Sequence, residues 1–336
     1  MALRPVRAVL AISALFLLGL ALAAQIVWVW LDAPGPLAVS RAVVIPKNVG
    51  SEGIARRLFE AGVIVDPRLF RLAAHAMGRL RPLRAGEYEF SPQASALAAI
   101  RLMQSGRTVV RRITLPEGLT VKQALALLGQ TEGLEGQVGR VPAEGRLLPE
   151  TYHYSWGDSR QGIVDRMEEA MRETLVRAWA ERSVPPVVKT AEEALALASI
   201  VEKETGIAAE RPRVAAVFLN RLMANMKLQS DPTVIYGLSR GEGGLPRALA
   251  RADLETDQPF NTYTRAGLPP TPIANPGRAA LEAVLNPVIS DELYFVADGS
   301  GGHAFAKTLE EHNRNVARWR KIQNERGKEQ NPPPSR

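Results

Sequence analysis

Glu202 and Glu204 are the residues whose type and spacing speak most directly of chemistry. They close a run of strong helix formers, Ala191-Glu192-Glu193-Ala194-Leu195-Ala196-Leu197-Ala198, followed by Ser199-Ile200-Val201. Residues two apart on a helix point in different directions, so the two carboxyl groups meet different surroundings. Glu204 continues the line of Leu197, Ile200 and Val201. Glu202 continues a smaller and more polar line, Leu195, Ala198 and Ser199. Removal from water raises a carboxyl pKa, and an acid still protonated near neutral pH suits general-acid catalysis. A helix whose last turn merely carries solvated glutamates has the same pattern, so the helix alone leaves both readings open.

Polar residues gather in dense islands after this helix. They are Gln229-Ser230-Asp231-Pro232-Thr233, Ala252-Asp253-Leu254-Glu255-Thr256, Asn261-Thr262-Tyr263-Thr264, Asn275-Pro276-Gly277 and the stretch from His303 to Asn313. Amides and carboxylates of this kind suit sugar hydroxyls, and aromatic faces suit the C–H surface of a sugar ring. The same residues also build turns. From Gln229 to Pro287 the chain is irregular, and such long irregular segments usually serve as binding or catalytic surfaces.

Other chemistries lack their signatures. The four histidines, His75, His153, His303 and His312, have no paired ligand spacing, so no metal site is expected. There is no Gly-x-Ser-x-Gly elbow and no phosphate-binding glycine loop followed by Lys-Ser/Thr. The absence of cysteine excludes disulfides, thiolate metal sites and a thiol nucleophile. No cofactor is expected. The net charge of +7, supplied mostly by arginine, favours anionic partners. The basic residues are scattered and no nucleic-acid motif occurs, so nucleic acid is not an expected partner.

The elements that must hold these residues follow from periodicity. Helical patterns cover Asp158 to Arg182, the glutamate helix to Thr205, Arg213 to Leu222 and a closing helix from Thr308 to Asn324. Glu292 to Ala297 reads as a strand and Gly299 to Gly302 as a turn. Nearer the N-terminus a strand–cap–helix unit recurs three times. One copy runs from Ala42-Val43-Val44-Ile45 to Leu58. Another runs from Gly86 to Leu102, with Ser95 as its cap. The last runs from Ile113-Thr114-Leu115 to Leu128, with Thr120 as its cap. These units resemble the LysM-like glycan-binding module, and a small α+β spacer would have the same pattern.

Ala8 to Leu31 carries no charge and is long enough to span a bilayer. Trp28 and Trp30 stand at its far end, where an aromatic belt lies. Arg4 and Arg7 precede it, which by the positive-inside rule puts the N-terminus in the cytoplasm. Ala21-Leu22-Ala23 resembles a signal-peptide cleavage site, but the apolar run continues past it and favours an uncleaved anchor. Residues 8–31 are thus expected to contact membrane lipid. The expected organisation is a cytoplasmic stub and anchor over 1–32, LysM-like module(s) over 41–128 and a linker over 129–146. A catalytic α+β domain over 147–324 and a disordered tail over 325–336 complete it.

The stretch from about Leu147 to Trp319 resembles the YceG-like catalytic domain of the endolytic murein transglycosylases. The matching strings are Ala198 to Thr205, Val217-Phe218-Leu219-Asn220-Arg221-Leu222, Leu228 to Gly237, Arg251 to Thr256, Asn261-Thr262-Tyr263, Gly267-Leu268-Pro269-Pro270, Asn275-Pro276-Gly277 and Tyr294 to Gly299 with His303 and Phe305. The resemblance implies lytic cleavage of the β-1,4 bond between N-acetylmuramic acid and N-acetylglucosamine, leaving a 1,6-anhydro end. It puts the catalytic glutamate on Glu204 and leaves Glu202 a structural role, pairing with an arginine. Substrate contacts are expected from Gln229, Ser230, Asp231, Tyr236, Asn261, Thr262, Tyr263 and Asn275. Gln229, Asn261 and Tyr263 are candidates for steadying charge on the sugar. Glycan strands, and peptidoglycan synthases near the membrane, are the implied partners. A hydrolytic muramidase using Asp231, and a non-catalytic anchored scaffold, remain as alternatives.

Overall fold

The computed structural model describes residues 3–79 and 81–330. It is a mixed helix-and-strand protein that divides into two compact units. The first gathers the chain as far as Arg111 with Gly133–Glu135 and His153–Asp158; the second holds the remainder.

In the first unit, α1 (Leu3–Asp32) is long and apolar enough over Ile12–Asp32 to cross a membrane. Strand β1 (Arg41–Ile45), helices α2 (Ser51–Glu60) and α3 (Pro67–Gly78), strand β2 (Gly86–Phe90) and α4 (Ala96–Ser105) follow. β1 and β2 pair antiparallel, from Arg41 opposite Phe90 to Ile45 opposite Gly86. Asp66 caps α3 by accepting from the amides of Arg68 (2.7 Å) and Leu69 (3.2 Å), with Pro67 pre-set at the first helical position. Ser95 caps α4 through the Ala98 amide, and Gly106 ends it in the left-handed conformation at φ +70°. Leu58, Phe70, Tyr88, Phe90, Ile100 and Met103 fill the core. Leu31, in the last turn of α1, belongs to that core, and Val27 packs against it.

β3 (Arg111–Thr114), α5 (Val121–Gln130) and β4 (Thr151–Tyr154) come next, with β3 and β4 paired. The helices α6 (Arg160–Ala180), α7 (Ala191–Glu204), α8 (Arg211–Met223), α9 (Asp231–Ser239), α10 (Arg251–Glu255) and α11 (Arg278–Leu285) belong to the second unit. The hairpin β5 (Tyr294–Ala297) with β6 (His303–Ala306), and α12 (Leu309–Gln330), close it. Every residue of α7 from Ala194 to Val201 is buried, packed with apolar side chains of α6, α8 and α11. A helix apolar all round is a core helix, and burial on this scale is the main source of its stability.

All three strand–helix units form, the first without a side-chain cap on its helix, and their strands pair as β1 with β2 and β3 with β4. The unit ending at Leu128 belongs to the second compact unit, so the division falls at Arg111 rather than after residue 128. Polar bonds hold it there. Thr120 Oγ1 donates to the Gly241 carbonyl (2.7 Å), and the Val121 amide donates to Glu144 Oε1 (2.8 Å). Residues 129–146 are accordingly not a free linker, since Glu144 braces α5 and Gly133–Glu135 joins the first unit. The irregular stretch 229–287 contains three short helices, and α12 runs on to Gln330, beyond the expected end at Asn324. Residues 331–336 of the expected tail lie outside the described residues.

Asn275 ties three segments of the second unit together. It is fully buried; its Oδ1 accepts from the Leu147 amide (2.9 Å), and its Nδ2 donates to the Leu119 carbonyl (2.8 Å). Asn275→Ala leaves the buried Leu147 amide without this partner, while the Leu119 carbonyl keeps the Asn275 backbone amide (2.8 Å). It is expected to lower unfolding free energy by about 1–3 kcal/mol, read from urea titration.

Candidate active site

Complete burial of α7 determines where its polar end can emerge. Thr190 caps the helix start by accepting from the Glu193 amide (3.1 Å), and Glu204 is the last helical residue. Thr205 leaves the helix at φ −140°, and its hydroxyl accepts from the Ile207 amide (3.0 Å), turning the chain away. Glu204 is thus presented at the rim of the core, half-buried, on an element that cannot shift without disturbing it.

The two glutamates differ as their directions require. The Glu202 side chain is only 4% exposed. Its Oε1 lies 3.2 Å from Arg211 Nη2, and its Oε2 accepts from the Gly277 amide (2.9 Å) at the start of α11. Burial raises its pKa, opposed by the Gly277 bond and the Arg211 charge. It is a fully engaged ion pair bracing two helices, which matches the expected arginine pairing.

Glu204 instead accepts a hydrogen bond from the Ser230 hydroxyl (2.5 Å). Burial pushes its carboxyl up from 4.5 to about 7. The Ser230 bond opposes this, the nearby Asp231 charge adds to it, and His303 and Arg221 draw it down. Both protonation states are therefore populated near neutral pH, the condition for a group that must first donate and then accept a proton.

The polar islands sort into two kinds of residue. Ser230 is buried at the start of α9 and spends its hydroxyl on Glu204 rather than on a helix cap. Its amide donates to Thr262 Oγ1 (3.0 Å), and Thr262 Oγ1 lies 2.9 Å from Thr233 Oγ1. Gln229 precedes it in a left-handed conformation (φ +53°) with its side chain exposed, and its amide donates to the Thr262 carbonyl. Tyr263 donates its hydroxyl to Asp231 (2.6 Å) and lies within electrostatic reach of Glu204; burial raises its pKa. Glu204, Ser230, Asp231 and Tyr263 thus form one cluster, with Thr262 fixing it from behind.

Asn261, Tyr236 and Asn275 stand apart from it. Asn261 is fully buried, donates to the Leu254 (3.0 Å) and Thr256 (2.7 Å) carbonyls and accepts from the Tyr263 amide (2.8 Å). Its amide organises the loop, with the Nδ2 hydrogens spent on backbone carbonyls. Tyr236 donates to Glu144 (3.0 Å) and packs edge-on against Phe260. Asn275 is the staple described above.

Two groups near Glu204 lie in strings quoted from the sequence but received no role there. Arg221 on α8 is 8% exposed; its Nε donates to the Leu293 carbonyl and its Nη1 to the Leu228 carbonyl, both at 2.7 Å. It holds the β5 approach and the Ser230 approach to one point while supplying positive charge to Glu204. His303 on β6 is clasped by Glu210, which accepts from its amide (2.9 Å) and lies 2.7 Å from its Nδ1. The helical position of Arg221 resembles that of an ordinary surface arginine, and His303 lacks any ligand spacing, so only the fold reveals their roles.

The chain belongs to a known class of proteins. The chain is a member of the YceG-like family, whose pattern matches residues 43–318. It is 31% identical over 316 residues to the endolytic murein transglycosylase of Bacillus subtilis (strain 168), covering 84% of this chain and 85% of that protein. It is 29% identical over 321 residues to the protein of the same name from Streptococcus pneumoniae serotype 2 (strain D39), covering 82% of this chain but 57% of that longer protein. The crystal structure of a YceG-like protein from Listeria monocytogenes, 31% identical, aligns with 82% of this chain and 99% of its own at a TM-score of 0.49.

A raised carboxyl pKa has a stability signature. The folded state keeps a proton on Glu204 that the unfolded chain releases at lower pH, so wild-type stability falls as pH rises between about 4.5 and 7. Glu204→Gln lacks that loss. The variant is expected to match wild type in Tm near pH 4.5 and exceed it at pH 8; an offset independent of pH would refute the raised pKa.

Proposed function

We propose that this protein is a membrane-anchored endolytic lytic transglycosylase. It cleaves the β-1,4 bond between N-acetylmuramic acid and N-acetylglucosamine within peptidoglycan strands and leaves 1,6-anhydro ends. The observation that carries the reading is the single carboxyl group of Glu204, poised at about 7 beside Ser230, Arg221, His303 and Asp231. Family membership and the names of the relatives support it.

The chemistry needs one carboxyl group because the substrate supplies its own nucleophile. Protonated Glu204 gives its proton to the glycosidic oxygen as the bond to C1 of the muramic ring breaks. The carboxylate left behind then accepts the proton of the C6 hydroxyl as that oxygen bonds to C1, returning the enzyme to its starting state. Arg221 and His303 favour the intermediate carboxylate, and the Ser230 hydroxyl steadies it. Asp231, oriented by Tyr263, supplies negative charge where the sugar ring becomes positive. Glu202 stays bound to Arg211 and takes no proton.

The anchor reading rests on α1, with the N-terminus cytoplasmic and both units outside. That location suits action on newly made strands, ending their growth alongside the synthases, and the LysM-like pattern of the first unit suits glycan contact. Asp231 supports one competing reading, a hydrolytic muramidase in which it activates water.

Product mass separates the two. The full-length protein acting on glycan strands is expected to release anhydro ends, one water lighter than hydrolysed ends; hydrolysed ends would establish the muramidase. Glu204→Gln is expected to lower turnover roughly 100-fold or more, and undiminished turnover would remove Glu204 from the mechanism. Ser230→Ala removes the hydrogen bond that favours the ionised carboxyl. The fall of activity on the alkaline side of the pH profile is therefore expected to move to higher pH, and a shift to lower pH would contradict the assigned donor.

A further inference from the structure

We propose that the first unit docks on an anionic phospholipid surface through α3 and the adjoining face of α4, at the level where α1 leaves the bilayer. This rests on the reading of α1 as the anchor. The last turn of α1 has two sides. Val27 and Leu31 face the core of the first unit, whereas Trp28 (48% exposed) and Trp30 (60% exposed) face outward. Exposed tryptophans at the end of a membrane helix mark the headgroup layer. A unit packed on that same turn sits in this layer rather than above it. Arg101 of α4 points the same way, with its guanidinium 6.0 Å from the Trp28 ring, one turn before the helix ends.

The surface beside this turn has the matching chemistry. A cavity of about 300 Å³ opens between the end of α1 and the start of α3, lined by Trp30, Leu31, Val65, Leu69 and Phe70 among others. From its mouth an apolar line starts at Val65, just before α3, and runs outward along the helix through Leu69, Leu72 and Ala76, the helical members at spacings of three and four. Val65 and Leu72 are 61% and 62% exposed, side by side with the cavity mouth rather than scattered. Arg68, Arg71 and Arg79 flank the line. The acidic groups near them are occupied: Asp66 caps α3, and Glu52 of α2 pairs with Arg71 at 3.4 Å. An apolar stripe bordered by arginines is the pattern of a helix lying in a bilayer interface, with its apolar side in the acyl boundary and its cations among anionic headgroups.

The chain has no cysteine, so single-cysteine variants of the full-length protein accept one fluorophore each. Phe16→Cys reports on the span and Leu72→Cys on the docking face, in nanodiscs of phosphatidylglycerol and phosphatidylcholine. The Phe16 label is expected to be quenched by spin-labelled lipid carrying its label deep in the chain. The Leu72 label is expected to be quenched by lipid labelled near the headgroup and to be shielded from iodide. Replacing Arg68, Arg71 and Arg79 together by glutamine should weaken the Leu72 quenching, since each arginine near an anionic leaflet contributes about fivefold to partitioning. A Leu72 label open to iodide while the Phe16 label stays lipid-quenched would overturn the docking and leave the anchor standing. A Phe16 label open to iodide would overturn the anchor, and the docking with it. Equal Leu72 quenching in phosphatidylcholine alone would overturn the anionic preference.

Discussion

The burial of α7 on every side is the constraint from which the second unit follows. A helix with no solvent face can present polar chemistry only at its ends, and its C-terminal turn carries both glutamates. One end is capped by Thr190 in the ordinary way. The other is finished by two carboxyl groups with opposite fates. Glu202 is neutralised by Arg211 and by the start of α11, which lets the helix end lie deep in the protein. Among the described residues Glu204 has no such ion pair at hydrogen-bonding distance, and burial keeps its proton available near neutral pH.

The loops around Glu204 are irregular yet tightly specified. Ser230 reaches the carboxyl because the Thr262 hydroxyl holds its amide, and Thr262 is held in turn through the loop that Asn261 organises. Arg221 connects the same region to β5 through two backbone carbonyls. The amides and hydroxyls of the polar islands thus serve mainly to fix backbone, and a smaller set faces the carboxyl. Buried polar groups must be paired wherever they occur, so density of polar residues marks a precisely folded loop before it marks a binding surface.

This explains what the sequence made legible. The long helices, the α5 capping box at Thr120 and the β5–β6 turn are local features, and local patterns reveal them. Glu204 could be selected from the same helix because its direction is fixed by periodicity. The partners of Glu202 could not, because Arg211 and Gly277 arrive from elsewhere in the chain. Asn261 and Asn275 looked like sugar ligands for a similar reason: an amide's spare hydrogen bonds are counted only once its long-range partners are known. The roles of Arg221 and His303 become visible only when α8 and β6 are brought to the end of α7. The division at Arg111 was hidden because the three strand–cap–helix units look alike in sequence while their strands pair differently.

On the proposed reading of α1 as an anchor, its final turn answers to two solvents at once. Leu31 and Val27 belong to the packing of a water-facing unit, while their neighbours Trp28 and Trp30 are turned outward. A segment under such dual selection is not an interchangeable cable. Exchanging it for a foreign membrane helix of equal length and hydrophobicity would restore insertion but not the shape that the unit closes over. The address of this protein is, in that sense, written into its folding.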